Sequence, residues 1–398
     1  MRKLRTLIAR LAAVLVSCLA CLLLLEIGIR LVLPASQWKY YDSTMDAQPD
    51  ARLGWVLRPN EDVTTIAEQG WPVRFRTNAD GLTPVTARRE KPPGTVRIML
   101  FGDSTVLGRS VPPEATVQAA LRRLLERRGY RVDVVNAGVE GYSTDQALLR
   151  MERLIPLYRP DLVAYVLCDN DFGGNATGEA YGVSKPRFVL DAAGRLSLVP
   201  LDAAKLRAIP PFDSGRWQWV QHSAVYRLLR PRLMVLRAQW GDWEHRNLIG
   251  LPSEMYSDPR QMDAIDWKLF SALLVRMKEV SERSGARFFF YSHPAIAEVW
   301  DPYIRTIEAG AHLQPGQYDR FALQKRLQTV ASARGVLYCP LIESFLAQAK
   351  RGPFHLLPRD PHCNPAGYEV TAETVAAFLE ASGLLAQSPA QKRTPGSN

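Results

Sequence analysis

The sequence predicts an α/β domain, a three-layer α/β/α sandwich with a central parallel sheet. One transmembrane helix and a short β-rich lead-in precede it. Three observations carry this expectation. Apolar runs of strand length alternate with segments of helical spacing, the pattern of a parallel sheet covered on both faces. The N-terminal stretch is apolar over a length that fits a bilayer. Hydrophobic residues make up 47% and charged residues 23% of the 398, which excludes a disordered chain, a collagen and a polytopic membrane protein.

The N-terminus comes first. Leu11–Leu25 is an uncharged run; Glu26 interrupts it, and Ile27–Leu33 continues it with Arg30 inside. A helix from Leu7 to Leu33 would be roughly 40 Å long, enough to span a bilayer core with tilt. Glu26 and Arg30 have the i,i+4 spacing of a helical ion pair. Arg2, Lys3, Arg5 and Arg10 precede the run, which places the N-terminus in the cytoplasm and the rest of the chain in the periplasm or outside. A cleaved signal peptide is the alternative. No small-x-small site precedes a polar start, and the residues after Leu25 stay apolar. Residues 1–36 are therefore assigned as a basic start and retained anchor.

Residues 37–95 read as the lead-in, with short alternating stretches such as Val73-Arg74-Phe75-Arg76, and Lys91-Pro92-Pro93-Gly94 closes them. Residues 96–385 form the main domain. Val96–Phe101, Tyr130–Val135, Asp161–Leu167, Arg287–Tyr291 and Gly335–Tyr338 are predicted strands. Helical spacing falls between them at Val117–Leu125, Thr144–Tyr158, Met262–Ser284 and Arg320–Arg334, and again at Val370–Ala381. The alternation breaks at 172–258, read as an insertion with a hairpin at Arg187–Asp191 and Arg195–Val199 and a Trp-rich helical stretch at Trp217–Leu236. Residues 386–398 are a polar tail.

The net charge is +10, but no run of five basic residues concentrates it, which argues against a nucleic-acid partner. Five cysteines are too few for a disulfide scaffold. Whether Cys168, Cys339 or Cys363 pair stays open. No metal or organic cofactor is implied.

The chemistry lies at the strand ends. In an open parallel sheet, ligands bind beyond the carboxyl ends of the strands. The first strand ends in Gly102-Asp103-Ser104, the second in Asn136-Ala137-Gly138-Val139-Glu140-Gly141, and the third in Cys168-Asp169-Asn170-Asp171. Asp360-Pro361-His362-Cys363-Asn364 follows near the C-terminus. Gly-Asp-Ser alone is also an ordinary turn and helix N-cap. Together and in this order, the four motifs resemble the SGNH family of serine hydrolases, also called GDSL esterases and lipases, over about Val96 to Leu385.

The resemblance implies an SGNH-type fold and a serine esterase. Ser104 would be the nucleophile, His362 the base, and Asp360 the acid that orients it. The oxyanion donors would be the N–H groups of Ser104 and Gly141 and the side-chain amide of Asn170. Gly138 competes with Gly141 and is assigned instead to supplying a positive φ in the turn. Cys168 stands where the family has glycine, and the acid lies two residues before the histidine rather than three. That spacing also occurs in relatives acting on acetyl groups of envelope polysaccharide. The expected substrate is therefore an O-acetyl or short acyl ester on envelope carbohydrate. The residues leave open an acyltransferase with the same triad, or an idle binding or scaffold protein. His293 is read as packing, His355 as a loop residue, and Trp217, Trp219, Trp240 and Trp243 as core rather than a sugar platform.

Overall fold

Alternate residues of each apolar run face opposite sides of one sheet. The computed structural model describes residues 2–33, 47–66, 72–84, 86–206, 223–226, 228–229, 262–301, 304–305, 314, 319–356 and 360–385. Five strands, β1 (Val96–Phe101), β2 (Val132–Asn136), β3 (Leu162–Leu167), β4 (Arg287–Ser292) and β5 (Leu337–Tyr338), pair in parallel in the order β5-β4-β3-β1-β2. Val96, Ile98 and Leu100 of β1 face one layer, with the helices Val117–Arg127 and Pro365–Ala381. Met99 and Phe101 face the other, with Thr144–Tyr158 and Trp267–Arg283. A two-residue strand period buries both faces because helices cover both.

Several boundaries moved for local reasons. The helix predicted from Met262 begins at Trp267, where the Asp266 carboxylate caps it by accepting the Leu269 N–H at 2.9 Å. The C-terminal helix begins five residues early, at Pro365, because Asn364 accepts the Gly367 N–H at 2.9 Å and proline suits the first helical position. The predicted hairpin in the insertion forms with Arg187–Leu190 against Leu196–Val199. A smaller one, Glu179–Ala180 against Val183–Ser184, precedes it. Trp217, Trp219, Trp240, Trp243 and the tail lie outside the described residues.

The lead-in forms two hairpins, Ala47–Asp50 with Gly54–Leu57 and Asp62–Ile66 with Pro72–Arg76. Leu53 and Trp55 are fully buried in the same core as Met99 and Phe101. Thr83 exchanges backbone hydrogen bonds with Asn136, at 3.1 and 2.8 Å, and so covers the free edge of β2. Arg97 is wholly buried. It pairs with Asp133 at 2.8 Å and donates to the carbonyls of Arg88, Arg89, Glu90 and Tyr158. A second buried pair, Lys185 with Asp145 at 2.7 Å, fastens the start of the insertion to the helix Thr144–Tyr158. Removing either partner of the Lys185–Asp145 pair would leave a buried charge uncompensated.

Arg2–Val32 is one helix, and its segment Ala12–Val32 is the one span among the described residues long and apolar enough to cross a membrane. Glu26 pairs with Arg30 at 2.6 Å, as the spacing predicts. The same carboxylate accepts the Ser223 hydroxyl and the N–H groups of Ala224 and Val225 at 2.8, 2.8 and 3.0 Å. The helix end thus contacts the insertion, a relationship that sequence spacing does not reveal.

Candidate active site

The strand order reverses direction at β1, so the crevice between the carboxyl ends of β1 and β3 is the topological switch point. Ser104 follows β1 there and opens the single helical turn Ser104–Leu107. Asp103, buried beside it, caps that turn by accepting the N–H and hydroxyl of Thr105 at 2.9 and 2.7 Å. Gly-Asp-Ser is therefore an N-cap whose aspartate fixes the turn that carries Ser104.

His362 arrives from the other end of the chain. It lies in the strand Asp360–Cys363, paired antiparallel with His355–Leu356. Its Nε2 is 2.7 Å from Ser104 Oγ. For the serine hydroxyl to donate in this contact, the imidazole must carry its proton on Nδ1. A second contact of the hydroxyl, to Asp103 Oδ2, is longer at 3.4 Å. Asp360 opens the same strand; its side chain lies outside the described part of the structure.

Gly141 and Asn170 follow β2 and β3. Among the described residues, nothing accepts a hydrogen bond from the N–H of Ser104 or Gly141 or from the Asn170 amide, and Asn170 is exposed. Gly141 has φ +68°, and a Cβ there would overlap the Tyr181 ring. The sequence reading of Gly138 needs correction: its φ is not positive. It is glycine because a Cβ would come 2.8–2.9 Å from Leu107 N, Val106 Cβ and Asp103 O. The turn needs close approach at 138 and the left-handed region at 141.

Buried acids surround the serine turn. Burial pushes Asp169 and Asp171 well above the usual carboxylate range, and Glu298 and Asp103 respectively add to it. Asp171 is fixed by the Tyr165 hydroxyl. Cys168 donates to Asp169 Oδ1 at 3.6 Å, and burial raises its thiol strongly, with Asp103 next in effect. It is a protonated packing group rather than a thiolate, and Cys168, Cys339 and Cys363 form no disulfide among the described residues.

His293 packs, as predicted. Its Nδ1 is 3.3 Å from Cys363 Sγ, its ring stands edge-on to Tyr291 and Tyr368, and burial pushes it down to about 3, with His355 and His362 contributing. His355 departs from the loop reading: it is a buried strand residue whose Nε2 donates to the Pro294 carbonyl at 3.0 Å. Both histidines pack behind the strand that carries His362. Trp55, Tyr181 and Glu298 escaped the sequence reading. Tyr181 lay in a stretch read only as insertion; Tyr181-Gly182 between short alternating segments is the turn signal that could have found it.

A serine hydrogen-bonded to a histidine at the switch point of an open α/β sheet is the arrangement of a serine hydrolase. Residues 100–370 match the GDSL-like Lipase/Acylhydrolase family. The chain belongs to that family. An arylesterase of Vibrio mimicus is 32% identical over 75 residues, 19% of this chain and 38% of that protein, so the match spans well under half of the relative. Among solved structures, the acetyl xylan esterase AlAXEase is 15% identical with a TM-score of 0.39, covering 71% of this chain and 100% of that one. A lipase/acylhydrolase from Enterococcus faecalis is 14% identical with a TM-score of 0.36, covering 72% and 97%.

Proposed function

We propose that the protein is an extracytoplasmic serine esterase, anchored by its N-terminal helix, that hydrolyses O-acetyl or short acyl esters of envelope carbohydrate. The 2.7 Å contact between His362 Nε2 and Ser104 Oγ carries the reading. His362 takes the serine proton as Oγ attacks the ester carbonyl. The N–H groups of Ser104 and Gly141 and the Asn170 amide receive the developing oxyanion; each such donor is typically worth about 3–4 kcal/mol in the transition state. His362 then returns the proton to the departing alcohol, and water repeats the sequence on the acyl-enzyme. Since Nε2 accepts, the Nδ1 proton needs an acceptor. We assign that role to Asp360, which opens the strand that carries His362 at two-residue spacing. The apolar helix and the basic residues before it support the anchor and its orientation.

The test is labelling of the detergent-solubilised full chain with a fluorophosphonate, alongside hydrolysis of p-nitrophenyl acetate and of acetylated polysaccharide. Ser104 labelling and acetate release support the reading. No labelling and no release overturn it. Transfer of acetyl to an added sugar in preference to water would replace hydrolase by acyltransferase. Carbonate-resistant membrane association, with the domain open to protease added from outside the inner membrane, tests the anchor.

A further inference from the structure

Tyr181 stands in an unusual place. It lies between Ala180 and Val183, which pair across a two-residue loop, and both loop residues, Tyr181 and Gly182, have positive φ, +53° and +71°. That loop geometry favours asparagine or glycine at both positions. A tyrosine held there is in an unfavourable backbone region, and the surrounding contacts keep it there.

Those contacts belong to the site. The Tyr181 ring covers Gly141 so closely that no side chain fits between them. Behind it stands Trp55, fully buried, with ring centroids 6.1 Å apart and planes at 85°. Trp55 Nε1 donates to the Glu140 carbonyl at 2.9 Å, and the Tyr142 hydroxyl donates to the Trp55 carbonyl at 2.5 Å. One tryptophan of the lead-in thus holds the Gly141 turn and the Tyr181 ring in fixed relation. The residue as a whole nevertheless remains 43% exposed. Glu140, Asp103 and Cys168, from the ends of β2, β1 and β3, act on its hydroxyl electrostatically.

We infer that Tyr181 is the specificity-determining wall on the acyl side of the site and restricts the ester to short acyl groups. This rests on the esterase reading, in which Gly141 binds the oxyanion. The alcohol leaves on the His362 side, so a rigid aromatic ring against Gly141 limits the acyl group. A pocket wall discriminates by excluded methylenes, and each is worth about 10-fold or more in specificity.

The experiment keeps the leaving group constant and varies the acyl chain. The full-length wild type, Tyr181→Phe, Tyr181→Ala and Tyr181→Gly are assayed on p-nitrophenyl acetate, butyrate and octanoate. Tyr181→Gly guards against misfolding, since glycine suits the positive φ. The same proteins are titrated with short- and long-alkyl fluorophosphonates, which read access to Ser104 without turnover. The octanoate-to-acetate ratio of kcat/KM should rise at least about tenfold in the alanine and glycine variants. Phenylalanine should keep the wild-type ratio, because the ring is the wall. Unchanged ratios in folded alanine and glycine variants, with Ser104 still labelled, overturn the wall and leave the esterase standing. A wild type that is neither labelled nor active overturns both.

Discussion

His362 Nε2 meets Ser104 Oγ at 2.7 Å although 258 residues separate them in the chain. The serine is mounted by its own aspartate-capped turn at the end of β1. The histidine is mounted by a two-stranded ribbon that His355 pins to the Pro294 carbonyl. Neither element contains the other's information, and the proposed chemistry depends on both.

Ser104→Ala should abolish ester hydrolysis with the melting temperature retained. The hydroxyl bonds His362 and only weakly Asp103, and the Asp103 cap of Thr105 does not involve it. Loss of a nucleophile costs on the order of 10⁴–10⁶-fold in turnover. Steady-state kinetics on p-nitrophenyl acetate decide the matter, and more than about a tenth of wild-type turnover would remove Ser104 from the mechanism.

Asp360→Asn should lower kcat strongly and KM little, because an acid that supports the imidazolium matters as charge develops. His362→Ala should lose at least as much. The check is the pH–rate profile of both variants on a small acyl ester. Wild-type turnover and an unshifted profile in Asp360→Asn would reduce the unit to a Ser104–His362 dyad.

Gly138→Ala should destabilise the fold and slow the reaction together. The added methyl would press on Leu107 N, Val106 Cβ and Asp103 O, in the turn that carries Ser104. Overpacking of this kind costs about 1–3 kcal/mol. Chemical denaturation and kcat are measured on the same preparation; an alanine variant with unaltered midpoint would refute the close approach.

Glu298→Gln should be more stable than wild type in alkaline buffer. Glu298 is 1% exposed and burial pushes it up to about 7, while Oε2 accepts the Ala295 N–H and the Gln324 amide at 2.8 and 3.1 Å. Folded protein keeps this proton to about pH 7, whereas the unfolded chain releases it near the ordinary glutamate value. Stability therefore falls as pH rises between the two, by about 3 kcal/mol in all. His293 acts oppositely: held down to about 3 by burial, it withdraws stability as pH falls below the ordinary histidine value. Melting curves of wild type and Glu298→Gln should coincide near pH 4.5 and separate by pH 8. Curves that stay parallel would show that Glu298 ionises normally.

The sequence by itself determined the sheet, its helices and the order of the four motifs, three of them at strand ends. These follow from local causes: apolar runs of strand length in β1 and β3, a 3.6-residue period in Thr144–Tyr158, and turn chemistry at Gly102-Asp103-Ser104. Tertiary structure decided the rest. The nearness of His362 to Ser104, the burial of His355, and the seating of Trp55 behind Gly141 and Tyr181 all depend on how distant segments pack. Even the division of labour between Gly138 and Gly141 was settled that way. Both are glycines in one turn, and only the atoms of Val106, Leu107 and Tyr181, brought from elsewhere in the chain, distinguish a glycine needed for space from one needed for its φ.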